Sequence, residues 1–406
     1  MMKRKGLLAA VLACLTLFAA VCGAFCGCDG GDPTETADNS ALYGAPVEFE
    51  GEPHSLSVFF VNVGKADCAA VLIDGRCWLI DVGTEESFPA IYAALTELEV
   101  NEIEGVILTH EHSDHIGGLE AVSARCEIGR VYCPEFLITR AEIDAVVYDE
   151  SLTLQTVKAG DSIEAAPGAV FNVLAPSHLL EGDGNDNSMV LKLTVNGRSF
   201  LFTGDMQTAE DRELVASGAD LSCDVLKVPN HGNPDSTSAE FAEAASPLIS
   251  VISTDTSVDH NSANARVRAR LSSSEIYITQ NYSMGVLVNV SEKGEISLSF
   301  PEKPQAASGA ELVLASKANQ TFVVRPTGGE VDLTGWFVYS TKGYEVFNFP
   351  AGTKLSSDLL VACRKSAQVS EADLVWDKKK VWADTKADNA VLCDPYGNEV
   401  SRIESN

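Results

Sequence analysis

Three histidines and an aspartate fall within six consecutive positions, His110-Glu-His112-Ser-Asp114-His115, directly after the apolar run Gly105-Val-Ile-Leu-Thr109. A short run of branched apolar residues reads as a buried strand, ending here where the histidines begin. Ligands on a strand-end loop can turn to different sides. His110 and His112 can then face one ion while Asp114 and His115 face a second, roughly 3.5–4 Å away, as two-metal hydrolases require. Imidazole with carboxylate suits zinc best and tolerates manganese, so one or two divalent ions are expected. Only 7 His occur in 406 residues, which argues against a solvated loop with chance histidines.

A two-metal site needs a bridging carboxylate and a further imidazole from elsewhere. Phe200-Leu-Phe-Thr-Gly-Asp205 is an apolar strand running into an acidic residue, and Asp224-Val-Leu-Lys-Val-Pro-Asn-His-Gly232 delivers His231 into a Gly turn. A strand-terminal Asp alone is as readily a helix N-cap as a ligand. The order of both segments after the histidine cluster, each at a strand exit, favours the ligand reading.

With these pieces in place the chain resembles the metallo-β-lactamase superfamily, whose signature HxHxDH matches residues 110–115. Within it, the resemblance is to the hydrolase domain of ComEC-type competence proteins and their secreted relatives. It rests on V-N-V-G-K-A-D at 61–67, L-I-D-V-G at 79–83, D-N-S-M-V-L at 186–191, L-F-T-G-D at 201–205 and V-P-N-H-G at 228–232. The resemblance implies an α+β fold, a four-layer αββα sandwich over residues 54–303. It makes His110, His112, Asp114, His115, Asp205 and His231 the metal ligands, and Asp81 the acceptor that orients a ligand imidazole. Asp114 and His260 are the expected catalytic residues. His260, in D-H-N-S-A-N, lies where relatives show a H-P pair facing substrate. An imidazole there could protonate a leaving oxygen or hold a phosphate; the plain alternative is a loop His before a helix.

Three departures from the family pattern stand out. Most members supply another His to the first ion from a segment that here reads E-G-D-G-N-D-N-S; Asn187 is a possible substitute, and His178 could also reach in. Asn230 stands where relatives often carry the first His of a H-H-G pair, so the register of the ligand, 230 or 231, is open by one residue. Asn62 and Lys65 replace the acidic or amide residues of the family opening.

Residues 1–28 begin with Lys3-Arg-Lys5 and continue through an apolar run to about Phe25, the layout of an export signal. A retained membrane anchor is the competing reading. The run ends F-C-G-C-D, resembling the lipobox of bacterial lipoproteins, so cleavage would leave Cys28 lipidated and the enzyme outside the cytoplasm. Residues 29–53 read as a linker, polar through 29–46, between membrane and domain. The signal region takes four of the 11 Cys. The remaining seven sit mostly in apolar contexts as small buried hydrophobes, with a Cys363–Cys393 disulfide as one possibility.

A Pro-rich linker, 304–310, leads into residues 311–406, whose short alternating strands and Gly, Pro and Asn turns suggest a small all-β sandwich. V-D-L-T-G-W-F-V-Y-S at 331–340, F-N-F-P-A-G-T at 347–353 and L-V-W-D-K-K-K-V-W at 374–382 resemble the lamin-tail domain, which implies an immunoglobulin-like sandwich serving interaction or placement. Trp336, Trp376 and Trp382 read as core or edge aromatics. Lys378-Lys-Lys380 could touch a cell-surface or polyanionic partner.

Charge restrains the substrate. Without residues 1–27 the chain carries 26 basic against 58 acidic residues, and nucleic-acid binding depends on basic surface. The expected function is a membrane-tethered, metal-dependent phosphodiesterase or nuclease. A headgroup or teichoic-acid phosphodiesterase is the alternative within that chemistry, and a non-catalytic adhesion or scaffolding protein the alternative outside it.

Overall fold

The computed structural model describes residues 41–43, 46–135, 152–181, 184–383 and 387–405. The expected signal region, Cys28 and the first part of the linker lie outside the described residues.

The strand Leu56–Val61 shows why the chain layers as it does. Leu56, Val58 and Phe60 point into a core shared with a second sheet. Phe59 and Val61 point the other way, into a core shared with helices. A strand with apolar residues turned to both sides is one covered on both faces. Ala69–Ile73 and Arg76–Ile80 repeat the pattern, with Val71, Ile73, Trp78 and Ile80 on the first side and Ala70, Cys77 and Leu79 on the second.

These strands belong to a nine-stranded sheet whose second half, Arg76–Ile80, Gly105–Ile107, Val131–Pro134 and Leu154–Val157, is parallel. Helices α1 (Phe88–Glu97), α2 (Ser113–Ile116) and α3 (Leu119–Arg125) cover its outer face. The second sheet has seven strands, of which Arg198–Phe202, Val225–Lys227, Ile249–Ile252 and Glu275–Ile278 are parallel. Its outer face packs through Leu201, Leu226 and Ile252 on α4 (Thr208–Ser217), α5 (Ala239–Ala245) and α6 (Ala265–Arg270), with Phe241 and Val267 at the centre. The order helix, sheet, sheet, helix is the expected αββα sandwich.

One boundary needs correction. Ala41–Tyr43, placed in the linker by its polar surroundings, pairs antiparallel with Ile296–Ser299 as the edge strand of the first sheet. Three residues carry no readable periodicity; an open sheet edge recruits them.

Residues 310–383 and 387–405 form an all-β unit of two four-stranded sheets and one two-stranded sheet. Phe322, Trp336, Phe347, Trp376 and Trp382 fill the space between them, so the three tryptophans are core residues. The unit docks on the helix layer: Phe88 and Tyr92 of α1 and Ala121 of α3 pack with Phe337, Val346, Val391 and Cys393. Phe337 lies 5.0 Å, centroid to centroid, from Tyr92 and 5.8 Å from Phe88. Cys363 and Cys393 are both buried thiols and do not pair, each packed in a different core.

Candidate metal centre

The parallel strands of both sheets end at the same place. Ile80 leads into Asp81, Ile107 into the loop of His110, Phe202 into Asp205, and Lys227 into the turn carrying His231. Open α/β sheets place ligand sites at such carboxyl ends, where loops from several strands converge.

Asp114, His115, Asp205 and His231 bring their ligand atoms within 4.8 Å of one another. Asp205 Oδ2 lies 3.1 Å from His231 Nε2 and 3.4 Å from His115 Nε2, and His231 Nε2 lies 3.4 Å from Asp114 Oδ2. His110 packs tilted against His115 at 4.0 Å and edge to face against His112 at 4.6 Å, centroid to centroid. His110, His115, Asp205 and His231 are fully buried or nearly so, while His112 and Asp114 reach the surface.

The Nδ1 atoms are already engaged. His110 Nδ1 bonds to Thr109 Oγ1 at 3.2 Å, His115 Nδ1 to Asp81 Oδ2 at 2.7 Å and His231 Nδ1 to the Ser253 carbonyl at 2.8 Å. The Nε2 atoms of all three, with Asp205 Oδ1, are buried without a hydrogen bond. Buried polar atoms rarely stay unsatisfied. Imidazoles held at one nitrogen, with the other converging on carboxylates, form the donor set a divalent ion needs. The residues present fit such an ion.

Electrostatics point the same way. Burial and the neighbouring His115 push the His110 pKa well below its ordinary value. Burial opposes a charge on His115 and His231 too, but the surrounding carboxylates outweigh it and hold both up, His231 to about 9. A bound cation would take over that role and release the protons.

Local backbone supports the arrangement. Asp81, Asn230 and His231 adopt left-handed φ of 59°, 45° and 51°. Such conformations persist where surrounding contacts over-determine them, as they do at functional sites. Asp81 is held by the Thr109 amide and hydroxyl, each at 2.8 Å. Gly204, at φ 50°, brings the Asp205 loop so close that a Cβ would meet Thr109 Oγ1 at 2.8 Å.

Asn187 does not face the imidazoles as a substitute ligand: its Oδ1 accepts from Leu180 N at 2.6 Å and its Nδ2 donates to Leu180 O at 3.1 Å, pinning that loop. His178 sits away from the cluster, 3.2 Å from Glu213. The one-residue ambiguity resolves to His231, since Asn230 bonds instead to Asp235 at 3.2 Å. His260 is exposed, with Nδ1 2.8 Å from the Thr256 carbonyl, and follows Asp259, whose carboxyl feels Lys65 and His231.

Sequence reasoning missed Asp67 and Lys227 and gave Lys65 no partner. Asp67 is buried beside both imidazoles, 3.6 Å from His231 Nδ1 and 3.9 Å from His115 Nδ1. Lys227 pairs with Asp67 and donates to the Gly204 carbonyl at 3.1 Å. Lys65 reaches Asp114 Oδ2 at 2.7 Å. The available signal was a lysine inside the apolar strand V-L-K-V, which must find a buried partner.

The fold and donor set define a class, the metallo-β-lactamase superfamily, whose model matches residues 61–256. This chain therefore carries a domain of the metallo-β-lactamase fold, and members of that superfamily are generally metal-dependent hydrolases. Its homology runs to ComE operon protein 3 of Bacillus subtilis (strain 168), 29% identical over 162 residues, 39% of this chain and 21% of that protein. It is also similar to Endoribonuclease YSH1 of Mycosarcoma maydis, 26% identical over 204 residues, 43% of this chain and 22% of that protein. The chain thus spans about a fifth of the length of these two relatives. Among solved structures, the metallo-β-lactamase fold protein YhfI of Bacillus subtilis aligns at a TM-score of 0.42 and 12% identity, covering 58% of this chain and 99% of that one.

Proposed function

We propose that the domain is a metal-dependent phosphodiesterase acting outside the cytoplasm. The observation that carries this reading is the convergence of Asp114, His115, Asp205 and His231 on one point, with His110 and His112 packed alongside. Asp114, His115 and His231 would hold one divalent ion, His110 and His112 another, and Asp205 would serve both. Divalent ions there would supply a water of lowered pKa as nucleophile and positive charge for the phosphoryl oxygen under attack. Zinc suits the imidazole-rich donor set best.

The chain's own residues do the rest. Asp81, Thr109 and Ser253 hold the imidazole tautomers that turn Nε2 inward. Asp114, at the rim of the site, is the catalytic carboxylate, and His260 is the proposed proton donor to the leaving oxygen. Phosphodiester chemistry is favoured by similarity to a protein named as an endoribonuclease and to a competence operon protein. The net charge of −29 favours a short diester or a lipid headgroup over long DNA.

Metal analysis of purified residues 29–406 and cleavage of bis-(p-nitrophenyl) phosphate test the reading together. We expect about one to two equivalents of zinc or manganese, and loss of at least ~100-fold in rate on Asp205→Ala. Fewer than about 0.2 equivalents of metal, with no activity on metal addition, would sink the enzyme reading.

A further inference from the structure

We propose that Lys65 is a specificity-determining residue that binds the anionic oxygen of the substrate at the mouth of the metal centre, so that the site selects a negatively charged ester. This inference rests on the phosphodiesterase reading and narrows it.

Lys65 follows the tight turn at Gly64, whose φ of 78° suits glycine, and extends over the cluster rather than into solvent. Its ammonium contacts Asp114 Oδ2 at 2.7 Å, the same oxygen that lies 3.4 Å from His231 Nε2. The side chain remains 27% exposed, against 17% for Asp114. The charge is thus within one side chain of the candidate metal ligands and still reachable by a substrate.

Charge balance shows what the ammonium changes. Asp67, Asp81, Asp114 and Asp205 carry four negative charges, and Lys65 and Lys227 return two positive ones. One divalent ion cancels the remainder, and a second leaves the site positive. Without the two lysines, two ions would leave it neutral. Lys227 is fully buried on Asp67 and cannot meet a substrate. Lys65 can, and an ion drawing on the same Asp114 oxygen would weaken that carboxylate's hold on the ammonium. In a partly desolvated setting an anionic oxygen is the natural replacement. A neutral ester or lactam offers none.

The test uses the zinc-loaded protein with Lys65→Gln and Lys65→Arg. Diethyl phosphate binding is measured by calorimetry, and kcat/KM is measured on bis-(p-nitrophenyl) phosphate and on the uncharged p-nitrophenyl acetate. Zinc content is determined for every variant. We expect Lys65→Gln to keep its zinc, to bind diethyl phosphate about tenfold more weakly, and to lower the diester-to-acetate selectivity about tenfold through KM. Lys65→Arg should restore most of both, because charge and reach are kept. Zinc loss in Lys65→Gln with equal loss on both substrates would overturn the proposal, leaving Lys65 as a support for Asp114. Unchanged diethyl phosphate affinity would overturn it as well. If wild-type protein cleaves neither ester yet Lys65→Gln weakens diethyl phosphate binding, the anion site stands and the phosphodiesterase reading fails.

Discussion

At the scale of single residues, the site is decided by what holds each imidazole as much as by the imidazoles themselves. Asp81 accepts from His115 Nδ1 and from both groups of Thr109, so it fixes a tautomer and a loop together. Asp81→Asn should keep the fold and weaken zinc binding by about 10–100-fold, read by competition with a chromophoric chelator. Glu210 presents a different case. It is buried, accepts from the Ser188 amide at 3.2 Å, and has Oε1 without a hydrogen bond. Burial, with Asp186 and Glu213 nearby, raises its pKa well above the usual carboxylate range. The folded state therefore prefers the neutral acid. Its contribution to stability is full below the unfolded pKa of about 4.3 and is lost as pH rises through the folded value. Glu210→Gln should match wild type in melting temperature near pH 4 and exceed it increasingly toward pH 8.

At the scale of elements, α1 joins two cores. Ile91, Ala94 and Leu95 face the nine-stranded sheet, while Phe88 and Tyr92 face the β unit. A helix apolar nearly all round is one buried on more than one side. Phe337, fully buried against Phe88 and Tyr92, is the contact most exposed to test. Phe337→Ala should cost about 3–5 kcal/mol. In urea unfolding followed by tryptophan fluorescence, the β-unit signal of Trp336, Trp376 and Trp382 should shift to lower denaturant than that of Trp78. The turn Pro229–Gly232 shows the opposite relation of pattern to element. Its left-handed Asn230 and His231 put the second residue of the pair, not the first, on Asp205.

At the scale of the whole molecule, charge and placement belong together. An acidic catalytic domain is soluble and repels long polyanions, so what it meets depends on where it is held. Among the described residues no helix is long and apolar enough to cross a membrane. Export and attachment are proposals from the amino-terminal sequence, with Cys28 as the lipid-bearing residue. Cys28→Ser should move the protein from the membrane fraction to the soluble or extracellular fraction on immunoblotting, with a mass matching an unacylated chain. Retention in the membrane would indicate an uncleaved anchor instead.

The hexad at 110–115, the acidic end of the strand at 205 and the histidine at 231 were legible because each is a local pattern: apolar run, strand exit, polar ligand. The two-sided strands were legible for the same reason, since continuous apolar runs require cover on both faces. Asp67, Lys65 and Lys227 were not, because their meaning is carried by partners up to 160 positions away in the chain. Nor was the engagement of Asn187 with Leu180, which only loop geometry decides. Local pattern marked the buried strands and their polar ends, as periodicity and burial are short-range properties of a chain, while the family resemblance implied the layers and the ligand set. The tertiary structure alone decided which Nε2 atoms converge, which carboxylates orient them and which lysine stands at the opening, because charges brought together by folding act through distance in space and not along the sequence.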